Sequence, residues 1–340
     1  MPATVLKPLK GTDAQLYENL RSFCGQNYGE FQIVFGVADA GDPAIAVVRR
    51  LIEEFPAREI TLVVGGVSQA ANRKIANLEN MMASARHDLL VLSDSDMRVA
   101  PHYLSAVTAP LADPANGLVT CLYRGIAEDG VWSEMGSLYL NHVFLPQAAL
   151  GDLLDLGDGA YGATLALSRR TLDAAGGFAA FADYLADDHE LGVAVRRQGL
   201  RVVLSPLLVD NHIHEPGFGH LFRHELRWAM TIRTLNPSGH AGTVMTHPVA
   251  LALIAFLMSP GPWPFAIFMA AVLTRAVLVR LGDRTLDVRP TPYYLIPLRD
   301  GLSFLVFIAS FFARSVSWRG YRYRVDRDGR LYQDGERAAS

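Results

Sequence analysis

The sequence predicts an α/β domain on a mostly parallel sheet, followed by C-terminal membrane-associated helices. Three observations carry that reading. Short apolar segments such as 31–38 and 88–92 alternate with segments of helical period through the first two thirds of the chain, the pattern of strands covered by helices on both faces. Two of those strands run into acidic loops, Asp39-Ala40-Gly41-Asp42 and Ser93-Asp94-Ser95-Asp96, and ligands of open sheets sit beyond such strand ends. Finally, residues 249–273 hold 25 positions without a charge, enough to span a hydrocarbon core of about 30 Å.

Residues 5–11 form the first strand, which runs into a loop at Lys10-Gly11. No secretory signal precedes it, so the domain is expected in the cytoplasm. A strand at 31–38, a helix at 43–55 with Pro43 in its first turn and a strand at 60–64 follow. Next come a helix at 73–85, the buried strand at 88–92 and a helix at 101–111. Strands at 118–122, 162–167 and 202–209 then alternate with helices at 169–175 and 187–198. Nothing in this stretch reads as a repeat or a linker, so one domain is placed at 1–240 and a membrane-associated region with a basic tail at 241–340.

In the second region Ser259-Pro260-Gly261-Pro262-Trp263-Pro264 interrupts the apolar run. The segment therefore either turns as two half-length helices in a re-entrant hairpin or crosses with a kink. A second stretch, 293–313, carries Arg299 and Asp300, and its purest part, 301–313, is short for a crossing. Arg275, Arg280, Arg284 and Arg289 follow the first segment, and Arg314, Arg319, Arg322 and Arg324 the second. Positive flanks stay cytoplasmic, so neither segment is expected to make one simple crossing. The competing reading is two buried helices of a soluble domain.

Composition narrows the function classes. With 50% hydrophobic and 19% charged residues, a disordered or collagenous chain is excluded. A balance of 31 basic against 34 acidic residues, net −3, argues against a broad nucleic-acid-binding face. Cys24 and Cys121 are too few for a disulfide framework and do not sit at metal-ligand spacing, which suits buried fillers in a reducing compartment. Lys7, Lys10 and Lys74 are the only lysines among many arginines. Such compact charges suit phosphate; the alternative is exposed lysines without a specific role.

Three constellations carry chemistry. Asp94-Ser95-Asp96 at a strand end offers two carboxylates to a hard divalent cation whose other ligands are water and phosphate oxygens; helix capping is the competing explanation. Asp187-Asp188-His189-Glu190 opens an amphipathic segment, where acidic residues serve the helix dipole. Asp187 and Asp188 point about a hundred degrees apart on a helix, leaving one free to face a cleft as a general base. Arg223-His224-Glu225-Leu226-Arg227-Trp228, with Arg233 beyond, reads either as a surface helix of mutual ion pairs or as an arginine clamp on a diphosphate beside an indole wall. His212 and His214, two apart after a strand, read either as a further metal ligand or, in preference, as surface or packing histidines; Met81, Met82 and Tyr139 are assigned to packing.

Taken together, the motifs resemble the ceramide glucosyltransferase family of inverting glycosyltransferases (family 21), most closely its bacterial branch associated with hopanoid biosynthesis. The resemblance runs from Leu6-Lys7-Pro8-Leu9-Lys10-Gly11 through Asp39, Asp42-Pro43, Asn72-Arg73-Lys74 and Asp94-Ser95-Asp96. It continues in Gly162-Ala163-Thr164, Gly176-Gly177-Phe178, Ala186-Asp187-Asp188, Arg227-Trp228 and the tail Trp318-Arg319-Gly320-Tyr321-Arg322-Tyr323. It implies a GT-A-type nucleotide-sugar-binding domain. By position it makes Asp39 the aspartate near the uracil, Asp94 and Asp96 the Mg²⁺ or Mn²⁺ motif, Asp188 the catalytic aspartate, and Arg227 and Trp228 the closing motif, with Lys7 and Lys74 as further donor contacts. His224 stands where the family has Gln or Arg. The N-terminal membrane helix usual in the family is absent, which leaves a shortened chain, a misplaced start or anchoring through the C-terminal part alone.

The expected reaction moves a hexose or N-acetylhexosamine from a UDP-sugar to the hydroxyl of a membrane lipid, a hopanoid polyol first and ceramide as the alternative. The metal and Arg227 neutralise the leaving diphosphate, and Asp188 deprotonates the acceptor. One base with in-line attack inverts the anomeric centre. The resemblance places the protein at the bacterial inner membrane with its catalytic domain facing the cytoplasm. A sugar nucleotidyltransferase ranks behind, since it predicts a Gly-rich basic loop after the first strand and no apolar block. A non-catalytic membrane scaffold would lack the base.

Overall fold

In the computed structural model, residues 1–13, 15–66, 70–313, 315–318, 321–326 and 329–333 are described. The arginines expected at 314 and 319, and Gly320 of the tail motif, lie outside them. Eight strands form the main sheet: β1 (Ala3–Leu9), β2 (Phe31–Val37), β3 (Glu59–Val64), β4 (Leu89–Leu92), β5 (Met97–Arg98), β6 (Asn116–Ala127), β7 (Leu165–Ser168) and β8 (Arg201–Ile213). Their order is β3-β2-β1-β4-β7-β6-β8-β5. The four strands β3, β2, β1 and β4 are parallel neighbours, while β7 is antiparallel to both β4 and β6, and β5 to β8.

Every residue of β1 and β2 is buried, which is why these strands read as apolar runs instead of alternating. Successive side chains serve opposite faces: Val5, Ile33 and Phe35 enter one core cluster, Leu6 and Val34 the other. Helices Leu16–Cys24, Ala44–Glu54 and Arg73–Met82 make the crossovers between the parallel strands. The first of these was not expected, although Leu16, Leu20, Phe23 and Cys24 lie at helical spacing and are buried. Cys24 and Cys121 are free and buried, and burial pushes their thiols up to about 12 and about 11, as suits packing residues. The helix expected at 101–111 is α-helical only at Tyr103–Thr108 and tightens to a 3₁₀ turn at Ala109–Ala112, where Pro110 lacks the N–H to continue.

The chain divides into two compact units, Met1–Arg124 with Gln147–His212, and Gly125–Pro146 with Ile213–Ser340. The single boundary expected at residue 240 is replaced by an earlier, interleaved one, because helix Phe218–Leu235 packs with the C-terminal helices. Glu225 on it is fully buried and accepts two hydrogen bonds, 2.6 Å each, from the Arg299 guanidinium on helix Leu295–Phe312. Arg299 also donates to the Met135 carbonyl at 3.1 Å. A helical run at 131–153, with a π-helical turn at Leu140–Phe144, was not expected either.

The proline cluster breaks the apolar run into two helices, as expected, and also starts the second of them. Helix Pro248–Met258 ends before it, and helix Pro262–Thr285 begins at Pro262, the position where a missing N–H costs nothing. That helix runs on through Arg275, which forms an ion pair with Asp300 at 3.0 Å and donates to the His142 carbonyl. Arg275 is therefore spent inside the unit. Helices Pro262–Thr285 and Leu295–Phe312 are each long and apolar enough to cross a membrane; the first buries only 6% of its apolar window and the second 50%. A three-stranded antiparallel sheet, Ser315–Trp318, Tyr321–Val325 and Leu331–Gln333, follows.

Candidate active site

In the first unit, the loop after β4 is held from below by Lys7 of β1. Its ammonium is fully buried, lies 3.7 Å from the Phe23 ring centroid, and donates to the Asp94 carbonyl and, at 3.4 Å, to Ser93 Oγ. Burial pulls its pKa down to about 7 against the pull of Asp94 and Asp96. Sequence reasoning made Lys7 a donor contact; the structure turns it inward as the brace of the aspartate loop.

Lys74 occupies the gap between that loop and the helix Asp187–Arg197. Its Nζ lies 2.8 Å from Asp94 Oδ1 and 3.6 Å from Asp187 Oδ2. Burial opposes its charge, but Asp187, Asp94 and Asp188 outweigh it and hold the pKa well above the usual lysine value. Lys74 thus remains an ammonium among three carboxylates. Asn72, to which no role was assigned, sets this geometry. Its side chain caps helix Arg73–Met82 by accepting from the Lys74 and Ile75 N–H groups, and its amide donates to Asp187 Oδ1 at 3.0 Å and the Tyr184 carbonyl at 3.0 Å. An Asn directly before a helical run is the signal that marks it.

The two adjacent aspartates meet different surroundings. Asp187 is buried and tied to Asn72 and Lys74. Asp188 is half-buried and, among the described residues, accepts only a local bond from the His189 N–H at 2.9 Å. Burial first, and Asp187 second, raise its pKa to about 6. Ala186, not an aspartate, is the N-cap residue, so capping does not account for the pair. Gly162 makes room for Asp188: a Cβ there would meet Asp188 Oδ2 at 2.8 Å.

Asp96 does not cap a helix either, since His102 precedes helix Tyr103–Thr108 without a side-chain cap bond. Its Oδ2 accepts from Asn211 Nδ2 at 3.1 Å, while its Oδ1 is buried with no hydrogen-bond partner among the described residues. Burial and then Asp94 raise its pKa. An orphaned carboxylate oxygen beside the partly exposed Asp94 fits a hard divalent cation that takes its other ligands from water and phosphate. Among the described residues no group of three His, Cys, Asp or Glu assembles to hold a metal, so the protein's share would be these two carboxylates. Asp39, exposed at the end of β2, accepts from the Gly41 N–H at 2.9 Å. Its neighbour Asp42 clamps the β1 loop by accepting from the Gly11 N–H with both oxygens, 3.0 Å each.

In the second unit, Trp228 stacks on Tyr139 at 5.5 Å and 16°, with the His224 ring 4.2 Å away and the Arg227 guanidinium 6.0 Å from the indole centroid. His224 Nδ1 lies 2.8 Å from Glu215 Oε1, and His220 Nδ1 bonds the other oxygen of the same buried carboxylate. Arg233 is no further member of an arginine clamp: it donates to the Ser310 and Ala313 carbonyls at the end of helix Leu295–Phe312. Mutual Glu–Arg pairs along the 218–235 helix do not explain the motif, since Glu225 turns to Arg299.

Comparison with known proteins agrees with this architecture. Ceramide glucosyltransferases 1 and 3 of Caenorhabditis elegans are 23% and 22% identical, each over 96% of this chain, and the chain covers 72% and 73% of them. A mannosyltransferase from Pyrobaculum calidifontis, solved in complex with GDP-Man and Mn²⁺, superposes with a TM-score of 0.54 at 19% identity, over 91% of this chain and 87% of its own; this likeness shows a GT-A-like fold. The model of Glycosyl transferase family 21 matches residues 1–331. Because that match runs through both units and takes in the strand-end aspartates as well as the helix of Arg227 and Trp228, the chain belongs to glycosyl transferase family 21 and is a glycosyltransferase.

Proposed function

We propose that this protein transfers a hexose from a UDP-sugar to the hydroxyl of a membrane lipid of the ceramide kind, with inversion at the anomeric carbon. The names of its relatives favour ceramide over the hopanoid polyol that the resemblance put first. The observation that carries the reading is the state of Asp188. It is a carboxylate with its pKa raised to about 6, beside an ammonium that holds Asp94 and Asp187 in place.

Asp188 accepts the proton of the acceptor hydroxyl as its oxygen attacks the anomeric carbon; a base with a pKa near the working pH does this best. Mg²⁺ or Mn²⁺ held by Asp94 and Asp96, in keeping with the Mn²⁺ of the Pyrobaculum complex, would neutralise the departing diphosphate. Lys74 keeps Asp94 oriented and offsets its charge. Lys7 fixes the loop that carries both acids, so neither aspartate needs to reorganise on donor binding. Asp39, at the next strand end, is proposed to meet the nucleotide base. Arg227 is proposed as a further cation for the diphosphate and Trp228 as its apolar neighbour, on their chemistry alone.

The test is transfer by the full chain in lipid nanodiscs, with labelled UDP-glucose, UDP-galactose or UDP-N-acetylglucosamine and either ceramide or a hopanoid polyol as acceptor. Labelled ceramide formed by the wild type and absent with Asp188→Asn supports the reading. Product only with the hopanoid replaces the acceptor, and no lipid product with any donor overturns it.

A further inference from the structure

Helices Pro262–Thr285 and Leu295–Phe312 enclose a groove of about 550 Å³, a volume that suits a bound small molecule or part of a lipid chain. Its walls are apolar, with Leu273, Val277, Leu281 and Ile296 among them, and Arg280, Arg284 and Tyr293 line it as well. Leu273, Val277 and Leu281 are more than half exposed, at 61, 58 and 52%.

The three arginines of helix Pro262–Thr285 differ in what they bond. Counted from the exposed Trp263, a helical rise of about 1.5 Å per residue puts Arg275 about 18 Å along the axis and Arg280 and Arg284 about 26 and 32 Å along it. In a hydrocarbon layer about 30 Å thick, Arg275 lies inside, and it is the one neutralised by Asp300. Arg280 and Arg284 fall at the polar boundary, and neither has an ion-pair or hydrogen-bond partner among the described residues. Two like charges one turn apart repel each other, and both border the same apolar groove. Trp263 at one end and Tyr293 at the other, 80 and 61% exposed, sit where aromatic belts meet the two interfaces.

We propose that this groove is a binding site for an anionic phospholipid, an acyl chain lying along Leu273, Val277 and Ile296 and the phosphate on Arg280 and Arg284. The site rests on the reading of helix Pro262–Thr285 as membrane-embedded. A free phosphate would satisfy the arginines but leave the apolar walls bare, so the groove commits to a lipid.

The experiment uses the full chain with vesicles of phosphatidylcholine alone or containing phosphatidylglycerol, read by flotation and by native mass spectrometry of the lipid retained after detergent extraction. The wild type should float with both vesicles, retain phosphatidylglycerol selectively, and keep it in the presence of inorganic phosphate. Arg280→Gln with Arg284→Gln should weaken binding to the anionic vesicles by about fivefold per arginine and lose the retained lipid. Ala276→Phe, which fills the groove without changing charge, should lose the retained lipid while still floating. Failure to float with phosphatidylcholine vesicles overturns the membrane reading itself. Flotation with no selective retention, retention unchanged in the variants, or displacement by inorganic phosphate overturns the groove while leaving membrane attachment intact.

Discussion

Asp187 and Asp188 are neighbours in sequence with different partners, and the bonds of each support the different duties proposed for them. Asp187 is consumed by Asn72 and Lys74; Asp188 keeps a raised pKa of about 6. Asp188→Asn should therefore retain nucleotide-sugar binding and lose transfer by about 10²–10⁴, measured as kcat against donor affinity by calorimetry. Normal turnover by Asp188→Asn together with a dead Asp187→Asn would reverse the assignment. The sign of the pH effect follows from the base being active only when deprotonated. Below about pH 6 the raised pKa keeps Asp188 protonated, so kcat/KM should fall about tenfold per pH unit there and level off above it. A flat profile down to pH 5 would remove Asp188 as the base. For the metal, Asp94→Ala should lose donor binding as well as turnover, since its carboxylate meets both Lys74 and the proposed cation. Wild-type turnover in excess chelator should vanish and return with Mn²⁺ or Mg²⁺.

At the scale of elements, the proposed base, the lysine and the aspartate loop are held by three separate pieces: helix Asp187–Arg197, helix Arg73–Met82 and the loop after β4. The strand ends that carry the acids were legible, because parallel strands buried on both faces leave apolar runs and put their polar residues in the following loops. The choice of Asp188 over Asp187 as the proposed base rests on the family resemblance; periodicity shows that they diverge, not which one pairs. Lys7 was misjudged for a related reason. A lysine in a strand end reads as a phosphate ligand until the Phe23 ring and the Asp94 carbonyl are seen to enclose it. Glu225 was hidden because its partner lies 74 positions away. That pair gives the prediction for this scale. Glu225→Leu alone strands a buried guanidinium and should cost about 3–5 kcal/mol, whereas adding Arg299→Met should restore much of the loss. Thermal unfolding of the detergent-solubilised protein measures both, and a double variant no more stable than the single one would show that the bonds Arg299 donates to the Met135 carbonyl at 3.1 Å and to Ser303 Oγ at 3.2 Å, not the ion pair, carry its contribution to stability.

At the scale of the molecule, the question is what the apolar surface of the C-terminal helices meets. Leu257, Met258, Trp263 and Ile267 are 67, 81, 80 and 60% exposed, and helices Pro248–Met258 and Pro262–Thr285 are joined by only a short break. A surface of this kind in contact with water marks a membrane or partner interaction. The full chain should therefore sediment with membranes and resist a high-salt wash, since salt screens the arginines but leaves apolar burial intact. Deleting everything after Thr246 is a poor test of this, because it would also take Arg299 from Glu225 and unfold what it meant to release. Charge placed on the exposed apolar side chains is cleaner. Leu257→Asp with Ile267→Asp removes little packing, yet an aspartate in the bilayer is costly, up to about 2.5–3.5 kcal/mol at the centre of a spanning helix and less toward an interface. The double variant should keep its fold by circular dichroism and move to the supernatant, losing transfer to bilayer-embedded acceptor while keeping donor binding. If the wild type itself remains soluble at low salt without detergent, the exposed helices serve another partner and the acceptor is a soluble alcohol.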